Sequence, residues 1–269
     1  MTKVIVAGAS GRMGKRVGYM VTQNPALQLV GGFEQAGNPA VGKDIGEVGG
    51  YGQVGALIAP DLSAVIDTCD VIIDFTFHSA TMGFARIAAQ HKKAMVIGTT
   101  GLSQENLAEL KELARDIPIV QAPNMAVGVN VLFKITQKVA AILGNDYDIE
   151  IVEAHHRMKK DAPSGTALKL GEMAALGVGR DLQKVGVFER NGIIGERTKE
   201  EIGIQTIRGG DIVGEHTVYF AGPGERIELT HRAHSRDNFA RGAAVAAAWI
   251  AGKANGMYNM FDVLGLGDL

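Results

Sequence analysis

Residues Lys3–Gly14 read KVIVAGASGRMG, and this stretch decides the fold. Lys3-Val4-Ile5-Val6-Ala7 is an uninterrupted apolar run, the pattern of a strand buried on both faces of a parallel sheet. Gly8-Ala9-Ser10-Gly11-Arg12-Met13-Gly14 follows without a spacer. Met13, Val17, Met20 and Val21 then recur at helical spacing until Asn24-Pro25 ends the helix. A second apolar run, Leu27 to Phe33, ends in Glu34, about twenty residues beyond Gly14. Glycines allow a tight turn and close approach to a diphosphate, the helix start offers free N–H groups, and the acid suits ribose hydroxyls. The spacing is GxxGxxG rather than GxGxxG, so the fingerprint is a variant of the common one.

Working outward, the strand–helix alternation continues. Val71 to Phe75 reads as a strand, Ser79 to Gln90 as a helix and Ala94 to Ile97 as a strand. Gly98-Thr99-Thr100-Gly101 is a turn, Ser103 caps a helix through Arg115, and Ile117 to Val120 is another strand. Parallel strands joined by helices gather ligands at their carboxyl ends. That rule lines Asp74-Phe75-Thr76, the Gly98 turn and Ala122-Pro123-Asn124-Met125 along one crevice with the first glycine turn. The expected nucleotide contacts are therefore Gly8, Ala9, Ser10, Gly11, Arg12, Met13, Glu34, Gly98, Thr99, Thr100, Ala122, Pro123, Asn124 and Met125. Glu34 followed by Gln35 favours NADH, because a carboxylate repels a 2′-phosphate and no arginine follows to welcome one; NADPH remains admissible. Gly42 to Gly55 reads as a long glycine-rich loop with no assigned chemistry, and His78 and His91 as structural or solvated.

From about Ala126 the pattern changes. Val127 to Leu143 reads as a helix ending at Gly144-Asn145. Tyr147 to Ile151 alternates as a half-buried strand and delivers EAHHRMKKDAPSGTA, Glu153 to Ala167. Pro163 blocks a helix from the histidine side, and Ser164 caps a new one from Gly165 through Leu176. That start, with the Ser164 and Thr166 hydroxyls beside Gly165, makes a cradle for a carboxylate. Lys159 and Lys160 add positive charge. His155 and His156 leave a strand end on opposite faces, and the residues alone do not say which faces a ligand. Further strands are read at Glu201 to Ile207, Glu215 to Phe220 and Arg226 to Thr230, with a hairpin turn at Gly222-Pro223-Gly224. A last helix, Arg236 to Lys253, is rich in alanine. The whole reads as α/β: a Rossmann-like dinucleotide-binding domain, residues 1–126 and 239–269, and a second α+β domain with an open mixed sheet, residues 127–238.

Composition excludes several classes. The chain of 269 residues is 46% apolar with a formal net charge of −2, which suits a large core and argues against nucleic-acid or membrane-surface partners. Cys69 is the lone cysteine, so no intrachain disulfide or thiol metal site is expected and a reducing cytoplasmic compartment fits. No metal site is expected. Ala243 to Ala251, taken as the longest apolar helix candidate, falls short of the roughly 20 residues a bilayer span needs.

VAGASGRMG at Val6 to Gly14, IDFT at Ile73 to Thr76, GTTG at Gly98 to Gly101, APNMAVGVN at Ala122 to Asn130, EAHHRMKKDAPSGTA and RGGDIVGEHTV at Arg208 to Val218 run nearly the length of the chain. Together they resemble the 4-hydroxy-tetrahydrodipicolinate (dihydrodipicolinate) reductase family. The resemblance implies NAD(P)H-dependent reduction of an unsaturated cyclic imine dicarboxylate in lysine and diaminopimelate biosynthesis. It implies that His155 is the acid/base residue and that Lys159 donates the proton. It implies that His156, Lys159, Ser164, Gly165 and Thr166 hold the substrate carboxylates, and that the protein is a homotetramer. Two other readings share the nucleotide fold: a dehydrogenase of another small amino or oxo acid, and a regulator that senses NAD(H) without turnover.

Overall fold

A computed structural model describes residues 1–267 and 269. In chain order the first elements are β1 (Thr2–Ala7), α1 (Arg12–Thr22), β2 (Leu27–Phe33), α2 (Ile45–Gly49), β3 (Ile58–Ala59), β4 (Val71–Asp74), α3 (His78–Gln90), β5 (Ala94–Ile97), α4 (Gln104–Leu113) and β6 (Pro118–Gln121). Then come α5 (Val127–Leu143), β7 (Asp148–His155), α6 (Gly165–Gly177), α7 (Leu182–Val185), β8 (Gly186–Val187), β9 (Ile202–Arg208), β10 (Gly214–Gly222) and β11 (Glu225–Ala233). The chain closes with α8 (Asp237–Ile250), β12 (Gly256–Tyr258) and α9 (Met260–Val263). Two compact units result: Met1–Val127 with Asp237–Gly265, and Gly128–Arg236 with Leu266–Leu269.

The first unit is built on a seven-stranded sheet in the order β12-β6-β5-β4-β1-β2-β3. All its pairings are parallel. Consecutive residues of β1 feed opposite faces, as the two-residue period of a strand requires. Val4 and Val6 join the core under α1 and α8, while Ile5 and Ala7 join the one under α3 and α4. Both faces are covered, which is why these strands read as unbroken apolar runs rather than as alternation. This is a Rossmann-like sheet with helices on both sides.

The Gly42–Gly55 stretch is not the featureless loop expected from its glycines. It contains α2, capped by Asp44, whose carboxylate accepts N–H groups from Gly46 at 2.8 Å, Glu47 at 3.3 Å, Val54 at 3.2 Å and Gly55 at 2.7 Å. Burial pushes the Asp44 carboxyl up, but those N–H groups outweigh it and hold the carboxyl below its ordinary value. One buried side chain thereby closes the segment. Glycine content concealed it, because the organising contacts join Asp44 to residues ten and more positions away.

The second unit carries a five-stranded mixed sheet, β11-β10-β7-β9-β8. β7 lies between β10, antiparallel, and β9, parallel. One face of this sheet is laid in rungs. Phe220, Ile149 and Ile202 align, then Val218, Ile151 and Ile204, all fully buried. The next rung is polar: His216, Glu153 and Thr206. α6 packs on this face closely enough that a Cβ at Gly171 would come within 2.8 Å of Ile204 Cδ1.

α5 corrects one sequence reading. With the turn that follows, Val127–Asp146 is a 20-residue run long and apolar enough to cross a bilayer by length and composition, so it exceeds the Ala243–Ala251 run. Its Leu132, Phe133 and Ala140 are buried in the protein, and Gly177 of α6 sits against its Gln137 backbone. A core-facing helix passes the same length test as a membrane one.

Candidate active site

In the first unit, the β1–α1 turn is shaped by backbone approach. Gly8 adopts φ +61°, where a side chain is strained, and its carbonyl accepts the Gly11 N–H at 2.9 Å. A Cβ on Gly14 would lie 2.0 Å from Gly8 O, so only glycine lets α1 begin against the turn. α1 starts at Arg12 with Gly11 as its N-cap and no side chain covering the first N–H groups, and Arg12 itself is exposed. Glu34, at the end of β2, accepts the Ser10 N–H at 2.9 Å and the Ser10 hydroxyl at 2.6 Å. Asn38 donates to the same hydroxyl at 3.3 Å. The turn and the acid, separate in sequence, form one edge.

Replacing Gly14 by alanine is expected to push that turn apart. NADH affinity should fall at least about tenfold, with a stability loss of about 1–3 kcal/mol, the ordinary cost of overpacking. Nicotinamide fluorescence titration and thermal melting check this; unchanged affinity would contradict a cofactor role for the turn.

Beside the turn lies a cavity of about 300 Å³ lined by Met13, Phe75, Thr76, Gly98, Thr99, Thr100, Pro123, Asn124, Met125 and Phe239. Ala122 is buried behind it, with its N–H on Ile97 O at 3.2 Å. Phe75 packs on Gly98 so closely that a Cβ there would meet its ring at 2.3 Å. Underneath, Asp74 is 0% exposed and faces threonines rather than a cation. Its carboxylate accepts from Thr76 N at 2.8 Å, Thr76 Oγ1 at 2.6 Å and Thr81 Oγ1 at 2.6 Å. Burial raises the Asp74 carboxyl above its ordinary value against the pull of these hydroxyls. Phe239, on α8, is the lining residue that the sequence did not nominate, since chain order separates it widely from the other nine.

In the second unit the polar rung lies at the end of β7. Glu153 and His155 are two positions apart and share the buried face. Glu153 is 0% exposed. Its carboxylate accepts from His155 Nδ1 at 2.6 Å, Arg208 Nη1 at 2.7 Å and Nη2 at 2.8 Å, Ser164 N at 2.9 Å and Thr206 Oγ1 at 3.2 Å. Burial would raise this carboxyl, but donation by His155, Arg208 and Ser164 more than offsets it and holds the group well below the usual carboxylate range. The carboxylate is therefore ionised.

Ser164 is buried and serves the helix. Its Oγ accepts the Ala167 N–H at 3.1 Å and lies 3.0 Å from His216 Nε2. Gly165 is exposed, with nothing within 4 Å of a Cβ built there, so the helix start is open at that residue. His216 is 4% exposed, and its Nδ1 has no partner. Burial, reinforced by His155 and opposed by Glu153, pushes its imidazole down to about 3. It is a neutral ring at any physiological pH. His155 meets it edge-on, with ring centroids 5.2 Å apart.

Lys159 Nζ donates to Asp161 Oδ1 at 2.9 Å and Oδ2 at 2.8 Å, which holds the Asp161 carboxyl below its ordinary value. Lys160 is exposed, and Arg236 Nη2 stands 3.5 Å from His156 Nε2. The stretch thus brings His155, Ser164 and the α6 start together through Glu153, while Lys159 stands in an ion pair with Asp161. Three members of the network were not picked out from sequence: Glu153, Arg208 and His216. The E-x-H alternation at the end of an apolar strand was the available signal for Glu153. Arg208 and His216 carry no local signal, since strand register alone brings them in.

Family models named "Dihydrodipicolinate reductase, N-terminus" and "Dihydrodipicolinate reductase, C-terminus" match residues 2–125 and 128–264. The chain is 69% identical over 269 residues to the 4-hydroxy-tetrahydrodipicolinate reductase of Desulfotalea psychrophila, covering 100% of both chains. The chain belongs to the dihydrodipicolinate reductase family. Its likeness to the reductase of the same name from Geotalea uraniireducens is 55% over 266 residues, covering 99% of this chain and 100% of the relative. The fold is also that of a solved dipicolinate-bound dihydrodipicolinate reductase from Paenisporosarcina sp. TG-14, with TM-score 0.78, 24% identity, and 97% and 98% of the two chains covered.

Dihydrodipicolinate reductases use a nicotinamide cofactor, and the first unit of this family member fits one. The Gly8–Gly14 turn is a cradle that a Cβ would fill, the α1 start offers uncovered N–H groups, and Glu34 ends the neighbouring strand.

Proposed function

We propose that this protein is a 4-hydroxy-tetrahydrodipicolinate reductase, acting on the unsaturated cyclic imine dicarboxylate in lysine and diaminopimelate biosynthesis. The observation that carries the reading is the Glu153 bridge. One buried carboxylate joins an imidazole able to exchange a proton to the start of a helix able to hold a carboxylate. Full-length likeness to reductases of that name supports it.

In this reading Gly8, Ala9, Ser10, Gly11, Arg12 and Met13 hold the cofactor diphosphate, and Glu34 holds its adenosine ribose. Gly98, Thr99, Thr100, Ala122, Pro123, Asn124 and Met125 enclose the nicotinamide end. A bound reduced nicotinamide supplies the hydride. His156, Lys159, Gly165 and Thr166 hold the substrate carboxylates, with Ser164 shaping the helix start behind them. Hydride addition leaves electron density that a proton must quench. His155 serves as the acid/base residue, and Lys159 supplies the proton while its charge stabilises the dianionic ring. Asp161 accepts from Lys159 Nζ at 2.9 and 2.8 Å and orients that ammonium.

The deciding assay follows NADH absorbance with freshly generated substrate. Turnover is expected, and a Lys159→Ala variant should lose about 10²-fold in kcat/KM with NADH binding retained. No turnover would refute the reductase assignment, and full activity in Lys159→Ala would refute that residue's role.

NADH is the favoured cofactor. Glu34, anchored by Ser10 and followed by Gln35, opposes a 2′-phosphate. A kcat/KM at least about tenfold higher for NADH than for NADPH is expected, one unfavourable charge contact being worth about 1.4 kcal/mol or more. The exposed edge strand β11 leaves the second unit's sheet open to pairing with another copy, and a homotetramer is the expected assembly; light scattering should return four times the chain mass. A cytoplasmic location follows from the same reading.

A further inference from the structure

We propose that Glu153 is the positioning residue of the proton-exchanging imidazole: it fixes His155 with its proton on Nδ1, leaves Nε2 as the exchanging nitrogen, and ties that ring to the start of α6. This rests on His155 being the acid/base residue.

An ionised carboxylate can only accept hydrogen bonds. The nitrogen of His155 that touches it at 2.6 Å must therefore carry a hydrogen, which leaves the lone pair of the neutral ring on Nε2. Space beside Nε2 depends on residue 214 being glycine: a Cβ there would lie 3.0 Å from it. The groups around the ring come from its own strand and from both neighbouring strands. They are Glu153 on β7, Arg208 on β9 and His216 on β10. Of these, Glu153 alone hydrogen-bonds the ring. His216 is a neutral neighbour and Arg208 points its two donors at Glu153.

The two carboxylate oxygens divide the work. Oε2 takes His155, Oε1 takes the Ser164 N–H, and Arg208 spans both. The ring and the anion-ready helix start are thereby held in fixed relation through one planar group. Arg208 has no acceptor to offer, so it locks both oxygens as acceptors.

Glu153→Gln tests this because it is nearly isosteric. The Ser164 backbone N–H is a fixed donor and keeps the amide oxygen, so the NH₂ turns toward His155, where it forces the lone pair onto Nδ1 and the hydrogen onto Nε2. In ¹⁵N-histidine spectra, neutral His155 of the native protein is expected as the Nδ1–H tautomer. In Glu153→Gln the Nε2–H form should predominate, with kcat lowered at least about 10²-fold, since an orienting carboxylate beside a catalytic histidine is worth up to about 10⁴. NADH affinity, carried by the first unit, should not change.

If the single variant fails to fold, with a half-buried guanidinium left without its carboxylate, Glu153→Gln/Arg208→Leu removes that charge and is read in the same two ways. A tautomer still on Nδ1, or a kcat within threefold of native, in the folded variant overturns the proposal. His155→Gln, run in parallel, separates the two ideas. If it turns over normally, the acid/base reading falls and this inference with it. If it is inactive while Glu153→Gln is normal, only the role of Glu153 falls.

Discussion

His155→Gln is expected to lower kcat by about 10³-fold, within the range that a positioned acid/base group contributes. Glutamine fills the space of the ring with a neutral polar amide, so the position beside Glu153 stays occupied without a new charge. What it cannot do is gain or lose a proton near neutral pH. The loss should fall on kcat, because the α6 start and Lys159 remain in place to bind substrate, and a lost transition-state interaction lowers kcat rather than raising KM. NADH affinity should remain native, since the residues lining the nucleotide turn belong to the other unit. Steady-state kinetics with a parallel fluorescence titration decide it. A variant with native kcat would remove His155 from the mechanism.

Arg208→Leu is expected to destabilise the second unit by about 3 kcal/mol, roughly a hundredfold in its folding equilibrium. Arg208 gives Glu153 two hydrogen bonds, at 2.7 and 2.8 Å, and a third to Asp161 O at 2.7 Å. Leucine leaves a fully buried carboxylate with its main counter-charge gone. The lower end of the range for breaking a buried pair applies, because the Arg208 side chain is 20% exposed and solvent screens part of the interaction.

The sign of the pH dependence follows. The folded Glu153 carboxyl lies well below the ordinary range, so its stabilisation is complete above about pH 4.3 and is lost as the solution is made more acid. The gap between native and Arg208→Leu stabilities should therefore be full at neutral pH and close in strong acid. Urea titrations at pH 7 and pH 3, followed by circular dichroism, would show this. A gap that does not change with pH would mean that the Arg208–Glu153 charge pair is not its source.

The sequence by itself determined the nucleotide half. Strand, glycine turn, helix and terminal acid all lie within the first 34 residues. Each signal is local: an apolar run, three glycines at turn spacing and a 3.6-residue period. The Ser164 cap and the helix at Gly165 were legible for the same reason, because capping joins residues only three positions apart. Tertiary structure alone decided what surrounds His155. Glu153, Arg208 and His216 come from three strands whose register is set by packing Ile149, Ile151, Val218 and Ile204 beneath α6, not by anything near the charged residues themselves. A one-residue slip of that register would turn the polar rung to the opposite face. Phe239 reaches the cavity for a similar reason: α8 returns to the first unit and packs so tightly on the Met125 carbonyl that only Gly242 fits there. Short-range patterns fix which elements form. Burial of apolar rungs across distant strands fixes which polar groups meet.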